Sequence, residues 1–366
     1  MAVASSPNAE VIGGVPLIAV IGTPRTMGAH LGARLKPRLQ VLSQYLTDQL
    51  CTYAKPGGHT LNPERLRTLL APSQAIIQRH EPSLWMELEA MAHGAELPVT
   101  DLLIIHGYND LLSRLSCSVA PMPSTYVTID ATHTADGFPL MAMCWYLDPA
   151  LFPYLTLLRR IPTHGPSTLC LTLAGLGPIA GLSEAGIAVA RNELRVSDGV
   201  DGLFTSHLLS AMLSSPSFDD VQRRANTGPR QGGAAIHGLS ANGERFTNEL
   251  SGQLSIRLND PFMNAPRVHT NHALDENIMS SVSTVDKTSK MRLEQTASQI
   301  VAVNGVTPSI IANWFGFGQN MPKTNRVEND SERVPISLVF MALDPKARQV
   351  FLRRTGVPAE LETIKL

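Results

Sequence analysis

The chain divides into a helical first third and a hairpin-rich remainder, and this order restricts the folds open to it. Within residues 27–50, leucines recur at steps of three and four residues, which predicts an amphipathic helix that Pro37 should kink or split. Asn62-Pro63 reads as an N-cap followed by proline at the first helical position, and Thr100 as a second N-cap. Helical periodicity resumes in three segments: 66–77, 84–91 and 101–112.

Beyond Cys117 the pattern changes to short β-rich runs separated by turn residues. Strands are expected at 15–21, 126–132, 138–145, 169–173, 178–182, 187–192, 234–239, 244–249, 337–343 and 348–353. Further helices are expected at 203–213, 218–225 and 285–303. Clustered hairpins with helices between the clusters favour antiparallel sheets covered by helices, and they disfavour the alternating βαβ units of Rossmann and TIM folds.

The charges of the chain nearly cancel. Its 366 residues include 30 Lys plus Arg and 31 Asp plus Glu, a formal net charge of −1. This balance argues against nucleic acid or an anionic membrane surface as a partner. The N-terminus lacks a signal-peptide pattern, and no apolar run reaches the ~18 residues that cross a bilayer. We therefore expect a soluble cytoplasmic protein with reduced thiols.

Neither disulfides nor a metal centre is indicated by the sequence. Phosphate-loop, HExxH and GxSxG patterns are absent. His269 and His272 have the i, i+3 spacing of metal ligands, but no third ligand is evident, so hydrogen-bonded structural histidines are favoured and no cofactor is expected. The four cysteines are far apart and form no CxxC pair: Cys51, Cys117, Cys144 and Cys170.

The junction between the helical and hairpin regions contains Ser116-Cys117. If this peptide bond were cut by an N-to-S acyl shift, Cys117 would acquire a free α-amine, with a pKa of roughly 7.7–8.0. That amine can act as the base for its own thiol, so one residue would supply both nucleophile and base. The alternative is that Cys117 is a small buried apolar residue, which the spacing alone favours.

A family resemblance shifts that balance. The motifs that carry it occur in this order: GTPRTMGAHLG from Gly22, the Cys117 junction, ATHTADGFPL from Ala131, SEAGIAV from Ser183 and VHTNHAL from Val268. Together they resemble the isopenicillin N acyltransferase (acyl-coenzyme A:6-aminopenicillanate acyltransferase) family of N-terminal nucleophile hydrolases. The resemblance implies an α+β fold, a four-layer αββα sandwich. It also implies one domain over residues 1–366, self-processed into a mostly helical chain 1–116 and a chain 117–366.

The resemblance also implies roles for individual residues. Cys117 would be the nucleophile, and the Asn271 carboxamide would stabilise the oxyanion of the tetrahedral intermediate. Asn192 is a weaker candidate for a second oxyanion donor. Arg333 matches the active-site arginine of the family, or is a solvated charge at the end of a strand. For Asn271, the alternative is a loop amide that bonds its own backbone.

Two departures from the family pattern stand near the proposed nucleophile. Ser116 occupies the position that is usually glycine, which would more readily adopt a strained backbone. Where the family reads glycine, a polar residue, Asn, Trp and Asp, this chain has Ala-Met-Cys144-Trp145-Tyr146, and the nearest carboxylate is Asp148. Three outcomes are open: Asp148 replaces the family aspartate, the Tyr146 hydroxyl does so, or hydrolytic ability is reshaped or lost.

The sequence thus predicts a cysteine N-terminal nucleophile enzyme. It would form a thioester on Cys117 from a small-molecule amide or acyl thioester, acyl-coenzyme A among them, and pass the acyl group to water or an amine. Its two processed chains would associate with each other. The alternative hypothesis is a diverged, unprocessed homologue that is a non-hydrolytic enzyme or a ligand-binding scaffold.

Overall fold

The structure is a computed structural model that describes residues 10–54, 61–259, 265–300, 303–316, 325–329, 332–357 and 360–366. The described helices are α1 Pro24–Tyr53, α2 Pro63–His80, α3 Pro82–Ala95, α4 Val99–Arg114, α5 Thr205–Leu213, α6 Phe218–Ala225, α7 Glu276–Met279, α8 Ser289–Ile300 and α9 Pro308–Trp314. None of these helices is long and apolar enough to cross a membrane.

Two sheets contain the described strands. The larger sheet comprises β1 Val11–Ile12, β2 Val15–Gly22, β5 Leu155–Pro162, β6 Thr168–Leu173, β7 Leu176–Ser183, β8 Ile187–Val196, β9 Gly233–Ser240, β10 Arg245–Leu250 and β11 Ser255–Arg257, with β13 Val282–Thr284 paired to β8. The smaller sheet comprises β12 Arg267–His269, β3 Ser124–Ile129, β4 Leu140–Leu147, β15 Glu332–Asp344, β16 Gln349–Arg354 and β17 Glu362–Lys365, with β14 Asn325–Asn329 paired to β15.

The two sheets pack face to face between two helical layers. Strand β3 of the smaller sheet lies over β8 of the larger one, and β15 lies over β7. Helices α1, α4 and α5 cover the other face of the larger sheet, whereas α8 and α9 pack on the smaller sheet. The α+β, four-layer αββα arrangement that the sequence predicts is therefore confirmed.

Strand β4 shows how alternating side chains serve two different layers. Met141, Met143 and Trp145 join the main core, which includes the residues between the sheets. Ala142 and Cys144 point the other way, into a second core under α9. Successive side chains of a strand face opposite sides of its sheet, so this register fixes which residues can reach the space between the sheets.

The observed elements differ from the sequence expectations at several points. Helix α1 runs through Pro37 without a break. Asn62 caps α2 as predicted, but Pro98 and not Thr100 is the N-cap of α4. Strand β5 was not predicted, and it pairs with β2 in parallel, so the larger sheet is not purely antiparallel. Most consequentially, the first strand after the helical region, predicted at 126–132, is Ser124–Ile129, so it begins at Ser124.

The glycine-rich segment near the N-terminus has a packing role. Gly28 and Gly32 lie on the face of α1 that packs on α3. A Cβ added at Gly28 would lie 2.1 Å from the Glu87 carbonyl oxygen, and one at Gly32 would lie 2.1 Å from the Met91 carbonyl oxygen. The two helix backbones therefore approach so closely that only glycine fits, which accounts for the regular spacing of these glycines.

We expect Gly32→Ala to destabilise the protein by about 1–3 kcal/mol, because the clash is with a helix backbone that cannot rotate away. This penalty exceeds the ~1 kcal/mol that alanine gains over glycine inside a helix. Chemical denaturation would measure the free energy of unfolding. His30→Ala, at an exposed position of the same helix, is the matched control, and equal stability of the two variants would contradict this packing role.

Candidate functional site

The first residue of β3 is the meeting point of the two asparagines predicted from the sequence. Ser124 is 2% exposed. Its hydroxyl oxygen accepts a hydrogen bond from Nδ2 of Asn192 at 2.8 Å and another from Nδ2 of Asn271 at 3.2 Å. Asn192 lies on β8 of the larger sheet, and Asn271 follows β12 of the smaller one. The packing of the two sheets thus brings two amide donors to one hydroxyl.

Two histidines determine how the Asn192 amide is turned. Its Oδ1 lies 2.9 Å from Nε2 of His237 and 3.2 Å from Nδ1 of His269. Burial, and then the nearby His269 and Arg267, hold the pKa of His237 well below its usual value, so its ring is neutral. Nδ1 of His237 faces the Thr247 hydroxyl at 3.0 Å, and in the tautomer that accepts from this hydroxyl, Nε2 donates to Asn192 Oδ1. Asn192 therefore presents its NH2 group to Ser124.

The Asn271 amide is held from four directions. Its Oδ1 accepts the backbone N–H of Ser124 at 2.6 Å and an N–H of Arg292 at 3.1 Å. Its Nδ2 also donates to the carbonyl oxygens of Met122 at 3.2 Å and Glu193 at 3.0 Å. The two N–H groups of this amide are therefore shared among three acceptors within the protein, the Ser124 hydroxyl being the third.

Arg292 of α8 supplies positive charge beside this group. Its Nη1 donates to the Ser124 carbonyl oxygen at 2.6 Å and to the Thr125 hydroxyl at 2.8 Å. It forms an ion pair with Asp286 and lies 5.5 Å above the centre of the Tyr146 ring. Arg292 is not among the residues predicted from the sequence, since nothing in the pattern of an amphipathic helix distinguishes an arginine that turns inward.

The HTNH segment, His269-Thr270-Asn271-His272, also contacts a buried glutamate. Nε2 of His269 lies 2.8 Å from Oε1 of Glu249, which is fully buried. Glu249 also accepts the backbone N–H groups of Leu274 and Asp275 at 2.7 and 2.9 Å. Nδ1 of His272 lies 2.8 Å from the Ser289 hydroxyl. Both histidines of the segment are thus hydrogen-bonded by protein side chains, and no cluster of three metal-binding side chains occurs among the described residues.

Cys117 lies at the end of α4, in a different setting. The backbone N–H of Ser116 bonds the Ser113 carbonyl, and that of Cys117 bonds the Leu112 carbonyl, both at 2.9 Å. This pair of bonds is a Schellman motif, which terminates the helix. Burial raises the pKa of the Cys117 thiol, with Arg195 acting in the opposite direction. Within the described part of the chain, no hydrogen bond joins Cys117 to Asn192 or Asn271.

Ser116 occupies the left-handed position of this motif, with φ of 52°. Residues other than glycine are strained there by roughly 1–2 kcal/mol. The family glycine that this chain lacks would thus fit the observed backbone, and Ser116 holds the same conformation at a cost.

Ser116→Gly should therefore stabilise the uncleaved chain by about 0.5–1 kcal/mol, less than the full strain because glycine also gains freedom in the unfolded state. Urea unfolding of the uncleaved protein would test this. Ser118→Gly, at an exposed position two residues on, serves as the control and should give no gain; a loss of stability in Ser116→Gly would contradict the strain argument.

Two tyrosines of α1, Tyr45 and Tyr53, lie near Asp148, and Tyr53 also lies near Cys117; neither was predicted. Burial, then Asp148 and then Cys117, raise the pKa of Tyr53. Burial and Asp148 raise the pKa of Tyr45 to about 12, and the Tyr45 hydroxyl lies 3.4 Å from Asp148 Oδ2. Asp148 also accepts the Ala150 backbone N–H at 2.8 Å. Asp148 thus lies beside these tyrosines, and no hydrogen bond among the described residues joins it to Asn192 or Asn271.

Cys144 and Tyr146, which replace polar residues of the family pattern, lie on the same face of β4. Cys144 is fully buried in the core under α9, and burial raises the pKa of its thiol. The Tyr146 ring packs against that same core beneath Arg292, and burial raises the pKa of its hydroxyl. The Tyr146 backbone N–H donates to the Pro123 carbonyl at 2.9 Å. Arg333 lies in β15 opposite Glu328, and its side chain is outside the part that the structure describes.

The four layers form the αββα sandwich that the sequence resemblance implies. A model of the family described as acyl-coenzyme A:6-aminopenicillanic acid acyl-transferase matches residues 147–352, which is more than half of the chain. The chain belongs to this family. The matched region starts after Cys117 and Ser124, so it includes Asn192 and Asn271 but neither of those two residues.

Two solved structures illustrate distant similarity. A mutant of conjugated bile acid hydrolase from Clostridium perfringens is 12% identical, with a TM-score of 0.48, and the match covers 66% of this chain and 92% of that one. Penicillin V acylase from Agrobacterium tumefaciens is 10% identical, with a TM-score of 0.37, and the match covers 66% of this chain and 86% of that one.

Proposed function

We propose that this chain is an enzyme that transfers an acyl group from an amide or an acyl thioester to water or an amine through a covalent acyl-enzyme. The observation that carries the proposal is the convergence of the Asn192 and Asn271 amides on one buried point at the start of β3. Fixed N–H donors of this kind stabilise the oxyanion of acyl transfer, and removal of one such donor costs about 2.7–4 kcal/mol in known sites.

The proposed substrates are small acyl compounds. The family description names an acyl-coenzyme A and an amine acceptor, 6-aminopenicillanic acid, which supports acyl thioesters and amides as the substrate class. The near-zero net charge supports a small molecule over a polyanionic partner. The last step distinguishes hydrolase from acyltransferase, because the acyl-enzyme can be attacked by water or by an amine.

In the version of this proposal drawn from the sequence, Cys117 carries the acyl group as a thioester. Cleavage after Ser116 releases its α-amine as the base, and chains 1–116 and 117–366 stay associated. Asn271 and Asn192 hold the oxyanion, Arg333 contributes charge, and Asp148 or Tyr146 takes the place of the family aspartate. Burial raises the pKa of the Cys117 thiol, and the nearby Arg195 acts in the opposite direction, which is the contribution that supports this version because a cation favours the thiolate.

The Cys117 version makes its own prediction. The purified protein would separate into 1–116 and 117–366 on denaturing electrophoresis, and Cys117→Ala would remain one chain without turnover. Normal turnover by Cys117→Ala would reject this version. The non-enzymatic alternative, an unprocessed ligand-binding scaffold, predicts instead that the full-length protein leaves every acyl substrate unchanged.

Turnover can be tested with p-nitrophenyl esters and p-nitroanilides of acetic, hexanoic and phenylacetic acids. We expect a burst of p-nitrophenol and, by intact-mass measurement, one acyl group added to the protein. Absence of both the burst and the adduct with all of these probes would contradict the proposed function.

Asn192→Asp tests the oxyanion role with little change of shape. The variant keeps an acceptor for His237 and His269 but loses the N–H that faces Ser124, so kcat should fall by roughly 10²–10³-fold while the protein stays folded. Steady-state kinetics with the most reactive ester would measure this change. Asn242→Ala, on an exposed hairpin turn, is the control, and an Asn192→Asp variant with unchanged kcat would rule out the role.

A further inference from the structure

We propose that Ser124, and not Cys117, is the nucleophile of the acyl transfer, and that it becomes an N-terminal residue when the chain cleaves itself between Pro123 and Ser124. This inference rests on the proposed function and assigns its acyl-enzyme to an ester on the Ser124 hydroxyl. It follows from the contacts of Ser124. The hydroxyl, the carbonyl oxygen and the backbone nitrogen of this residue each form a hydrogen bond with Asn192, Asn271 or Arg292.

The Ser124 hydroxyl oxygen faces two amide donors at 2.8 and 3.2 Å. Such donors stabilise the partial negative charge of an oxygen that is losing its proton. The carbonyl of Ser124 is bound by the Arg292 guanidinium, and its backbone nitrogen donates to Asn271 Oδ1 at 2.6 Å. After cleavage, this same nitrogen would be the α-amine, held beside the hydroxyl by Asn271.

The peptide bond before Ser124 is also prepared for attack. Its carbonyl oxygen, on Pro123, accepts the backbone N–H of Tyr146 at 2.9 Å. One residue earlier, the Met122 carbonyl accepts Nδ2 of Asn271 at 3.2 Å, and the Met122 N–H donates to Glu193 Oε2 at 3.3 Å. The segment leading into β3 is therefore fixed on both sides, and a donor already stands where negative charge would develop on the Pro123 oxygen.

The need for a base explains the cleavage. Among the described residues, Asn192 and Asn271 are the side chains that hydrogen-bond the Ser124 hydroxyl, and neither amide can accept a proton to form a stable cation. An α-amine can, since its unperturbed pKa is roughly 7.7–8.0. Ser124 can obtain that amine only by loss of the preceding residues, as in nucleophiles activated by their own N-terminus.

The cleavage itself proceeds through an N-to-O acyl shift. The Ser124 oxygen attacks the Pro123 carbonyl carbon, a C–O bond forms, and the C–N bond breaks as the hydroxyl proton passes to the departing nitrogen. Water then hydrolyses the ester, which leaves a Pro123 carboxylate, the Ser124 hydroxyl and a free α-amine. In turnover, this amine takes the hydroxyl proton during attack on the substrate and returns it to the leaving amine or thiol.

Cys117 lacks the corresponding contacts. Its backbone nitrogen is engaged as the last bond of the Schellman motif of α4, not by Asn271. Burial raises the pKa of its thiol, which opposes thiolate formation. Residues 118–123 lie between Cys117 and β3, the strand whose first residue both asparagines contact.

The test is the cleavage position of the purified full-length protein, determined by intact mass and N-terminal sequencing. We expect chains 1–123 and 124–366, the larger beginning Ser-Thr-Tyr. Cys117→Ala and the exposed control Ser118→Ala should cleave identically, whereas Ser124→Ala should stay one chain. Ser124→Cys retains a nucleophile and should cleave, which separates loss of chemistry from loss of folding.

A wild-type protein that stays intact, a larger chain that begins at Cys117, or cleavage in Ser124→Ala would each overturn the proposal. Peptide mapping after reaction with p-nitrophenyl phenylacetate gives a second readout, with the acyl group expected on the Ser124 peptide. An adduct on Cys117 would overturn the inference while the acyl-transfer function stands. Correct cleavage without any adduct or turnover would support Ser124 as the self-cleaving residue and contradict the function.

Discussion

The buried carboxamide of Asn271 is the interaction on which the arrangement of the site depends. It joins the start of β3 through the Ser124 N–H, the larger sheet through the Glu193 carbonyl, and α8 through Arg292. A buried amide must satisfy both its donors and its acceptor, because each unpaired group costs about 1–3 kcal/mol. The relative position of the two sheets is therefore fixed at this point by directional bonds as well as by apolar packing.

The polar residues between the sheets form a continuous hydrogen-bond network that starts at Ser124, the residue that both amides contact. Asn192 bonds Ser124, His237 and His269, and His269 reaches Glu249. Each member fixes the orientation of the next, so the two NH2 groups that face Ser124 cannot turn without breaking other buried bonds. Networks of this kind are rigid when every member is paired, and the proposed oxyanion role requires such rigidity.

The helical layer serves the site by bringing the chain to the start of β3. Close contact of α1 with α3 at the glycines and the Schellman motif of α4 determine where the helical region ends. The chain then crosses from the outer layer to the smaller sheet along the segment that precedes Ser124. The end of the last helix and the start of the strand are thus two different places, with Cys117 at the first and Ser124 at the second.

Much of the site could be predicted from the sequence because its parts are local patterns. Asn271 was predicted from the HTNH segment, and Asn192 from its place after a predicted strand. Helical periodicity followed by hairpins indicated the layered α+β fold. Two buried features lack such a signal. The parallel pairing of β2 with β5 joins segments far apart in the chain, and the inward turn of Arg292 depends on what α8 packs against.

The sequence by itself determined the family, the order of elements and the two amides, since each of these is written in residue types at fixed spacings. It could not decide which side chain lies beside those amides. Cys117 marks the abrupt change of pattern, but the end of α4 and the start of β3 are set by capping bonds and sheet pairing. Only the packing of β3 on β8 brings Asn192 and Asn271 together, and it does so at Ser124.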